Sequence, residues 1–397
     1  MRHSLSLLTV SVLAVACWRA GESVAGHRRP PTVDAGRGAV AIETIAALPD
    51  RAADAGASSR PTYYGPREDA AARALRLAGE LPTLSAELRD ALETQRDLLK
   101  RQAGRRSYEL GGRVVTPRDF IRVIDALLSG AYLSEPLEAV PVAEGGSVRF
   151  TGYYSPVVDV RREASDEYRY PLLRRPEDVD GVWPDRSAIE RGIAFEHDEL
   201  AIAWAKHPLD VYDLQLQGSG FIRFGDGTRH YLAYGGTNRR PYRSIELALE
   251  RRDASVEDLS LRGLREWVDA DPDVRDTVTR FNPNYGFFRL SDGEARGAAG
   301  TRLTPWVSVA ADPRHYPLGS VLLARVPVPG IPGEYVTRLL LVQDTGGAIR
   351  GDDHLDLYTG VGERGLDIAE VTAGYGEVYV LGPRGELGPA RTPEPRP

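Results

Sequence analysis

Residues 338–358, RLLLVQDTGGAIRGDDHLDLY, hold two short apolar runs on either side of a glycine-rich acidic turn. The first run, RLLLVQ, is apolar enough for a buried strand, and Asp344 ends it. In the second run, Asp356 stands between Leu355 and Leu357. Because side chains alternate along a strand, Asp356 is expected on the face opposite the two leucines. If the two strands pair, the carboxylates of Asp344 and Asp356 converge.

Several kinds of site could explain so much carboxylate at the end of a buried strand. A calcium loop requires oxygen ligands at alternate positions, where this stretch has Thr, Ala and Arg. A zinc site requires more His or Cys than His354 offers, and no nucleophile-elbow pattern is present. Acid/base chemistry by carboxylates remains, because a partly desolvated carboxyl near a second one has a raised pKa.

The rest of the chain predicts a mainly β protein with peripheral helices. From about residue 147 onward, short β-rich runs are punctuated by Gly and Pro, and two helical patterns interrupt them. No βαβ alternation with a glycine fingerprint appears, so barrels fit better than a doubly wound sheet. Two amphipathic helices precede this region. The first has Leu84, Leu88, Leu92 and Leu98 on one face, and the second begins at Thr116 with a capping box to Asp119 and ends at Gly130.

Composition and chain ends suggest an exported protein. The 397 residues are enough for about two domains, and a net charge of -7 argues against a nucleic-acid partner. Residues 1–17 combine a basic start with a short apolar run, as in a signal peptide. Cys17 is the single cysteine, and it is either incidental to that peptide or the lipidated residue of a lipoprotein. Residues 18–62 read as a linker and 383–397 as a disordered tail.

Six polar or aromatic residues are candidates for binding a hydroxylated ligand, each with a structural alternative. Tyr154 either packs in the core or stacks on a sugar ring. Gln217, with Gln215, is expected on one face of a strand that runs into Ser219 between two glycines. Tyr234 ends a strand and Asn238 lies on the loop that follows it. Asp312 lies in a turn, where turn formation is much of its role.

Seven motifs in order give the chain a family resemblance: FTGYYSP, LQLQGSG, YGGTNRRPYRSI, NPNYGFFR, VAADPRHYPLGS, DTGGAIRGDDHLDLYTG and YGEVYVL. Over residues 145–381 the chain resembles the membrane-bound lytic murein transglycosylase A family. The C-terminal part is similar to the domain named for three aspartates, here Asp312, Asp344 and Asp356. The resemblance implies a double-psi β-barrel from residues 63–152 and 290–382, a smaller β-barrel at 153–289 inserted into it, and a groove between the two.

The resemblance also implies an activity and its site. The expected enzyme is a peptidoglycan lytic exotransglycosylase, a lyase that cleaves the β-1,4 bond between N-acetylmuramic acid and N-acetylglucosamine and leaves 1,6-anhydromuramoyl ends. Asp356 matches the single acid/base and Asp344 the supporting aspartate, while Tyr154, Gln217, Ser219, Tyr234, Asn238 and Asp312 are assigned to substrate. No cofactor or metal is expected. The expected partner is the glycan strand, and the expected protein is a periplasmic monomer held at the outer membrane through lipidated Cys17.

Two other functions stay open at this point. A water-using glycoside hydrolase would employ both Asp344 and Asp356 in separate roles. A cell-wall binding protein without activity would keep the barrel, although the presence of both aspartates argues against it.

Overall fold

The computed structural model describes residues 84–102, 107–110, 113–130, 137–142, 147–177, 179, 181–250, 258 and 260–383. The predicted signal peptide with Cys17, the predicted linker and residues 384–397 lie outside the described residues. Pro383, where the predicted tail begins, instead ends the last strand. Within the described ranges, no helix combines the length and the apolar character needed to cross a bilayer.

The described backbone is mixed and β-rich, with only slightly more residues in strands than in helices, where a mainly β protein was expected. In chain order the strands are β1 (Tyr108–Leu110), β2 (Arg113–Val115), β3 (Leu137–Pro141), β4 (Ser147–Ser155), β5 (Val157–Arg161), β6 (Tyr170–Leu173), β7 (Ala201–Ala205), β8 (Gly220–Phe224), β9 (Arg229–Thr237), β10 (Gly286–Ser291), β11 (Ser308–Ala310), β12 (Val321–Pro327), β13 (Tyr335–Asp344), β14 (His354–Val361) and β15 (Ala373–Pro383).

The helices lie before and between these strands. They are α1 (Ala86–Gln102), α2 (Pro117–Ser129), α3 (Arg186–Glu190), α4 (His197–Leu200), α5 (Pro208–Gln217), α6 (Ile245–Glu250), α7 (Leu261–Asp269), α8 (Pro272–Arg275) and α9 (Gly362–Val371), with a 3-10 helix at Val278–Phe281. The second of the two helical patterns in the sequence, residues 259–281, is therefore broken into shorter helices. Asp271 accepts backbone N–H bonds as a new N-cap and Pro272 starts α8, because proline suits a first turn and not a helix interior.

Seven strands form a sheet that closes on itself. Their order is β12-β13-β11-β14-β4-β15-β3, and a further antiparallel pairing joins β12 to β15. Six strands therefore make a ring, and β3 lies outside it on β15. A closed barrel leaves no strand edge unpaired, so strands from two distant parts of the chain are held by hydrogen bonds on both sides. The barrel is confirmed; its double-psi connection stays a prediction.

The two N-terminal helices cover the barrel and share its core. Thr116 and Asp119 make the predicted capping box, and Gly130 takes the predicted left-handed C-cap conformation. Near the end of α1 the predicted apolar face is shifted by one residue. Leu84, Leu88 and Leu92 pack on the barrel core as predicted, but two turns after Leu92 the buried residue is Leu99 and not Leu98.

The segment between β4 and β11 forms a second sheet, in the order β10-β9-β8-β5-β7-β6. An isolated parallel bridge between Arg174, directly after β6, and Phe288 of β10 brings its two edges together. β4 remains in the barrel through Ser155, and β10 remains in the second sheet through Ser291. The chain thus passes from one sheet to the other two to three residues later than the predicted domain limits at 153 and 289. Those limits stay a prediction as domain boundaries.

Candidate active site

One face of two parallel barrel strands carries the polar side chains of the site. β14 pairs with β4 so that Asp356 lies opposite Thr151 and Tyr358 lies opposite Tyr153. Leu355 and the leucine at 357 are fully buried in the barrel core. Asp356 therefore lies on the opposite face of the strand from its two neighbours, as alternation predicted.

Asp356 is an almost completely buried carboxyl, with 3% of its surface exposed. Thr151 donates its hydroxyl to Oδ1 of Asp356 at 2.8 Å. Burial disfavours the charged form and raises the pKa of Asp356 to about 7, while the Thr151 hydrogen bond and the Arg149 charge act in the opposite direction. The negative charge of Asp344 adds to the rise. Near neutral pH this carboxyl can both release and accept a proton, as acid/base catalysis requires.

Asp344 ends β13 and is only half-buried. Its Oδ2 accepts the Tyr153 hydroxyl at 3.0 Å. Its Oδ1 accepts the backbone N–H groups of Ala298 and Thr345, each at 2.8 Å. Burial raises the pKa of Asp344 above its usual value, against these three donors. The three hydrogen bonds hold both oxygens in one orientation and take up most of the acceptor capacity of the carboxylate.

A third strand separates the strands that bear the two carboxylates. β11 pairs in parallel with β13 on one side and antiparallel with β14 on the other. The prediction that the Asp344 and Asp356 strands pair directly, with the glycine turn bringing them together, is therefore wrong. The turn of residues 345–353 instead spans β11, which comes from an earlier segment of the chain.

Asp312 anchors the turn that leads to Asp356. It is fully buried, and its oxygens accept bonds from the Arg314 guanidinium and from the backbone N–H of Gly351 at 3.0 Å. The Arg314 hydrogen bonds are the main reason that the pKa of Asp312 lies far below its usual value. These contacts favour a role in holding residues 312–314 to the 345–353 turn, and the substrate contact expected from the sequence stays a prediction.

Three neighbours of the carboxylates were not predicted as site residues from the sequence. Thr151 contacts both Asp356 and His354, and Tyr153 donates its hydroxyl to Asp344. A signal was present, because FTGYY and HLDLY both alternate apolar residues with polar or aromatic ones. Only the parallel register of β4 against β14 shows that the polar faces of the two runs coincide.

The LQLQ motif is a helix and not the predicted strand. His207 caps α5, Pro208 occupies its first turn, and Gly218 ends it in the left-handed conformation. These end signals outweigh the four-residue alternation that suggested a strand. Gln217 Oε1 accepts the backbone N–H of Tyr154 at 3.2 Å. Gln217 and Ser219 are both half-buried, so each keeps some surface that a ligand could reach. Their substrate contacts stay predictions.

Tyr154 is placed in the core and not at the surface. It is 4% exposed, packs with residues of α5, α6 and α7, and donates its hydroxyl to the buried carboxylate of Asp213. Burial raises the pKa of Asp213 to about 7, with Tyr154 and Gln217 hydrogen bonds opposing the rise. The ring is packed as the structural alternative for Tyr154 describes, and its predicted substrate contact stays a prediction.

Tyr234 and Asn238 lie close in sequence but in opposite environments. Tyr234 is 55% exposed on β9, which suits a ring that stacks on a ligand. Asn238 is fully buried; its amide donates to the Pro184 and Pro283 carbonyls, and its Oδ1 accepts the Tyr285 N–H. Asn238 thus braces the loop, and its predicted substrate contact would require those bonds to be exchanged.

A cavity of about 470 Å³ opens beside the far end of the polar face. Tyr358 of β14 and Tyr231 of β9 line it, together with Arg229 and the Glu294 and Arg302 ion pair. The cavity is therefore built from both sheets, as a groove between two domains would require. Among the described residues, no cluster of His, Cys, Asp and Glu has the makeup of a metal site.

The fold and these side chains together define a class: a closed β-barrel protein with an inserted β-sheet and a buried carboxyl whose pKa is raised. The family comparisons give the same result. The MltA specific insert domain matches residues 149–289, and the 3D domain matches residues 307–382. The chain belongs to the MltA family, whose characterised sequences carry the name membrane-bound lytic murein transglycosylase A, and the family resemblance stated from its motifs is confirmed.

Individual relatives support this assignment. The membrane-bound lytic murein transglycosylase A of Vibrio cholerae is 37% identical over 247 residues, which is 60% of this chain and 66% of that protein. The Escherichia coli K12 protein of the same name is 36% identical over 245 residues, 59% of this chain and 66% of that one. The chain thus matches slightly less than two thirds of each relative.

Solved structures agree over more of the chain. Escherichia coli MltA with bound chitohexaose has a TM-score of 0.63 and 28% identity, covering 75% of this chain and 88% of that one. A membrane-bound lytic murein transglycosylase from Agrobacterium tumefaciens has a TM-score of 0.64, covers 75% of this chain and 93% of that one, and at 23% identity supports the fold alone.

Proposed function

We propose that this protein is a peptidoglycan lytic transglycosylase that cleaves the β-1,4 bond between N-acetylmuramic acid and N-acetylglucosamine. The observation that carries the proposal is the state of Asp356, a buried carboxyl whose pKa is raised to about 7. Membership of the MltA family and the chitohexaose bound by the Escherichia coli relative support a glycan strand as the substrate.

One carboxyl suffices for the proposed reaction. Protonated Asp356 donates its proton to the glycosidic oxygen as the bond to C1 breaks. The resulting carboxylate then accepts the proton of the muramoyl 6-hydroxyl as that oxygen bonds to C1, which closes the 1,6-anhydro ring and returns Asp356 to its acid form. Positive charge that develops at C1 is stabilised by the negative charge of Asp344 and by dipoles fixed in the groove.

The contacts of Asp344 favour this route over hydrolysis. A water-using enzyme requires a second carboxylate as base or nucleophile. Both oxygens of Asp344 are already bound by Tyr153 and by two backbone N–H groups. An internal hydroxyl nucleophile removes the need for that second carboxylate. Exo-action and a lipid anchor at Cys17 belong to the same proposal, the latter resting on sequence alone.

Product mass tests the proposal. Purified protein is incubated with peptidoglycan, and the released muropeptides are analysed by mass spectrometry, with Asp356→Asn as the inactive control. Anhydro products, lighter by one water than reducing-end products, are expected. Reducing-end products would support the hydrolase that uses Asp344 and Asp356 together. The absence of any product would leave a cell-wall binding protein.

A further inference from the structure

A hydrogen-bonded chain of three side chains ends on the candidate acid. Thr151 Oγ1 lies 2.8 Å from Asp356 Oδ1 and 2.9 Å from His354 Nε2. Thr151 and Asp356 are buried, and His354 is half-buried. All three lie on the same face of the β4 and β14 pair, with Thr151 directly opposite Asp356 in the register.

The direction of this chain follows from counting protons. A threonine hydroxyl has one proton, and an ionised Asp356 can only accept. The Thr151 proton therefore goes to Oδ1, so His354 must donate from Nε2 to the Thr151 oxygen. Burial, and then the charge of Arg149, lower the pKa of His354 to about 4, so the ring is neutral near pH 7. Its single ring proton is thus on Nε2.

We propose that Thr151 and His354 are positioning residues that hold Asp356 so that its proton enters and leaves on Oδ2. This inference rests on the proposed function and deepens it. A proton on Oδ1 would point at Thr151 and reverse the chain. Reversal would require His354 to move its own proton from Nε2 to Nδ1, which takes an exchange with solvent. With His354 in this tautomer the chain keeps its direction, which leaves Oδ2 as the oxygen that gains and loses the proton.

Ionisable groups on several neighbouring elements surround the Asp356 carboxyl. Ala310 of β11, which pairs with Asp356, cannot titrate. The ionisable groups on the elements packed around Asp356 are Arg149, Tyr153 and Tyr154 on β4; Tyr335, Arg338 and Asp344 on β13; His354 and Tyr358 on β14; Tyr375, Glu377 and Tyr379 on β15; and Glu363, Arg364, Asp367 and Glu370 on α9. Asp352 and Asp353 precede β14 in the turn. Removing the Thr151 hydroxyl also takes the acceptor away from His354 Nε2, so variants of His354 are needed beside those of Thr151 to separate the two effects.

Titration of Asp356 in Thr151 variants tests the inference without relying on activity. The carboxyl-carbon NMR signal of Asp356 is assigned by its loss in Asp356→Asn and followed against pH. Thr151→Val removes the donor to the charged form at nearly constant volume, so the midpoint is expected to rise by about one pH unit. Thr151→Ser keeps a hydroxyl and is expected to keep a midpoint near that of the wild type.

A matched control and a second pair of variants complete the experiment. Thr279→Val also removes a buried hydroxyl that donates to a carboxylate, that of Glu190, and should leave the Asp356 midpoint unchanged. His354→Leu removes the donor to Thr151 and should raise the midpoint less than Thr151→Val, whereas His354→Gln, which keeps an N–H donor, should raise it less still. These variants decide the question if Thr151→Val fails to fold.

The readouts separate this inference from the proposed function. In an active enzyme, the alkaline limb of kcat/KM should move upward with the NMR midpoint in Thr151→Val. An unchanged midpoint in Thr151→Val, or an equal rise in Thr151→Ser, would overturn the positioning role. Midpoints that shift as expected in a protein that releases no anhydro product would support the hydrogen-bonded chain and overturn the transglycosylase.

Discussion

Asp344 and Asp356 pair with the same residue, Ala310, from opposite sides. Ala310 is the Cα partner of Asp344 across the parallel β11–β13 ladder and of Asp356 across the antiparallel β11–β14 ladder. Neighbouring strands lie about 4.8 Å apart, so the two backbones are separated by about 10 Å. At this spacing the carboxylates influence each other through charge, and Asp344 is the smallest of the causes that set the pKa of Asp356.

Replacing Asp344 with Asn should shift the pH dependence of the reaction. Loss of the like charge lowers the pKa of Asp356, because its ionised form is no longer repelled. The acid form then disappears at a lower pH, so the alkaline limb of kcat/KM should move down, by less than about one unit. kcat should also fall by about tenfold or more, since charge at C1 loses its partner. Rate profiles of the two proteins measure both effects, and an upward shift would contradict this account.

Asp356→Asn should be inactive but more stable than the wild type at alkaline pH. The folded protein holds the Asp356 proton up to about pH 7, whereas the unfolded chain releases it near its usual value. Between these values the free energy of unfolding falls as pH rises, by up to about 1.4 kcal/mol per unit. The variant should therefore exceed the wild type by about 2–4 kcal/mol near pH 8 and by little near pH 4.

Denaturant unfolding at the two pH values measures the stability of Asp356→Asn. Asp166→Asn, at an exposed position, serves as the control and should match the wild type at both. If the free energy of unfolding of Asp356→Asn differed from that of the wild type by the same amount at both pH values, burial would not be what keeps this carboxyl neutral.

Asp312→Asn should destabilise the barrel end without a direct effect on chemistry. The variant weakens hydrogen bonds from Arg314 and Gly351 to a charged acceptor, at a cost of about 1–3 kcal/mol. Because the folded pKa of Asp312 is depressed, its contribution is present above the usual pKa of an aspartate and is lost on acidification. Thermal unfolding near neutral pH tests this. Arg314→Gln, which keeps both backbone donors, should cost less, and an equal loss would place the stability in the ion pair alone.

Tyr234→Ala should weaken substrate binding and leave stability almost unchanged. The ring is 55% exposed, so its removal opens no cavity and changes stability by less than about 0.5 kcal/mol. Loss of a stacking surface should raise KM several-fold with a smaller change in kcat. Tyr154→Phe is the opposite case, because it removes the donor to buried Asp213 and should lower stability. Equal melting-temperature losses in both variants would contradict these placements.

Gly152→Ala should separate β4 from α9. A Cβ atom at this position would lie 2.8 Å from Ala369 Cα and 2.9 Å from Thr372 Cβ, closer than non-bonded carbons approach. One of these atoms is a backbone carbon and the other is the first side-chain carbon of a packed residue, so neither can move aside by itself. The strand must therefore shift, at a cost of about 1–3 kcal/mol. Gly347→Ala, with no atom within 4 Å of the added carbon, is the control. Calorimetry of both variants tests the difference, and equal melting temperatures would disprove the close approach.

How well the sequence alone predicts the structure differs from element to element. The helix from Thr116 to Gly130 was predictable with its caps, because every signal is local to one stretch of chain. The LQLQ motif was misread, since four alternating residues fit a strand and the last turns of α5 equally well, and only the end signals of Pro208 and Gly218 separate them. The burial of Asn238 and Tyr154 could not be predicted from the sequence, because burial depends on distant partners.

By itself, the sequence determined the family, the β-rich fold and the candidate acid, because motif order and the alternation in HLDLY are properties of short stretches. Only the tertiary structure decided what surrounds that acid. It placed β11 between the two aspartate strands, set Thr151 of an earlier strand against Asp356, and buried the carboxyl enough to raise its pKa to about 7. The physical reason is that desolvation and hydrogen bonding act through space, between residues about 200 positions apart in the chain.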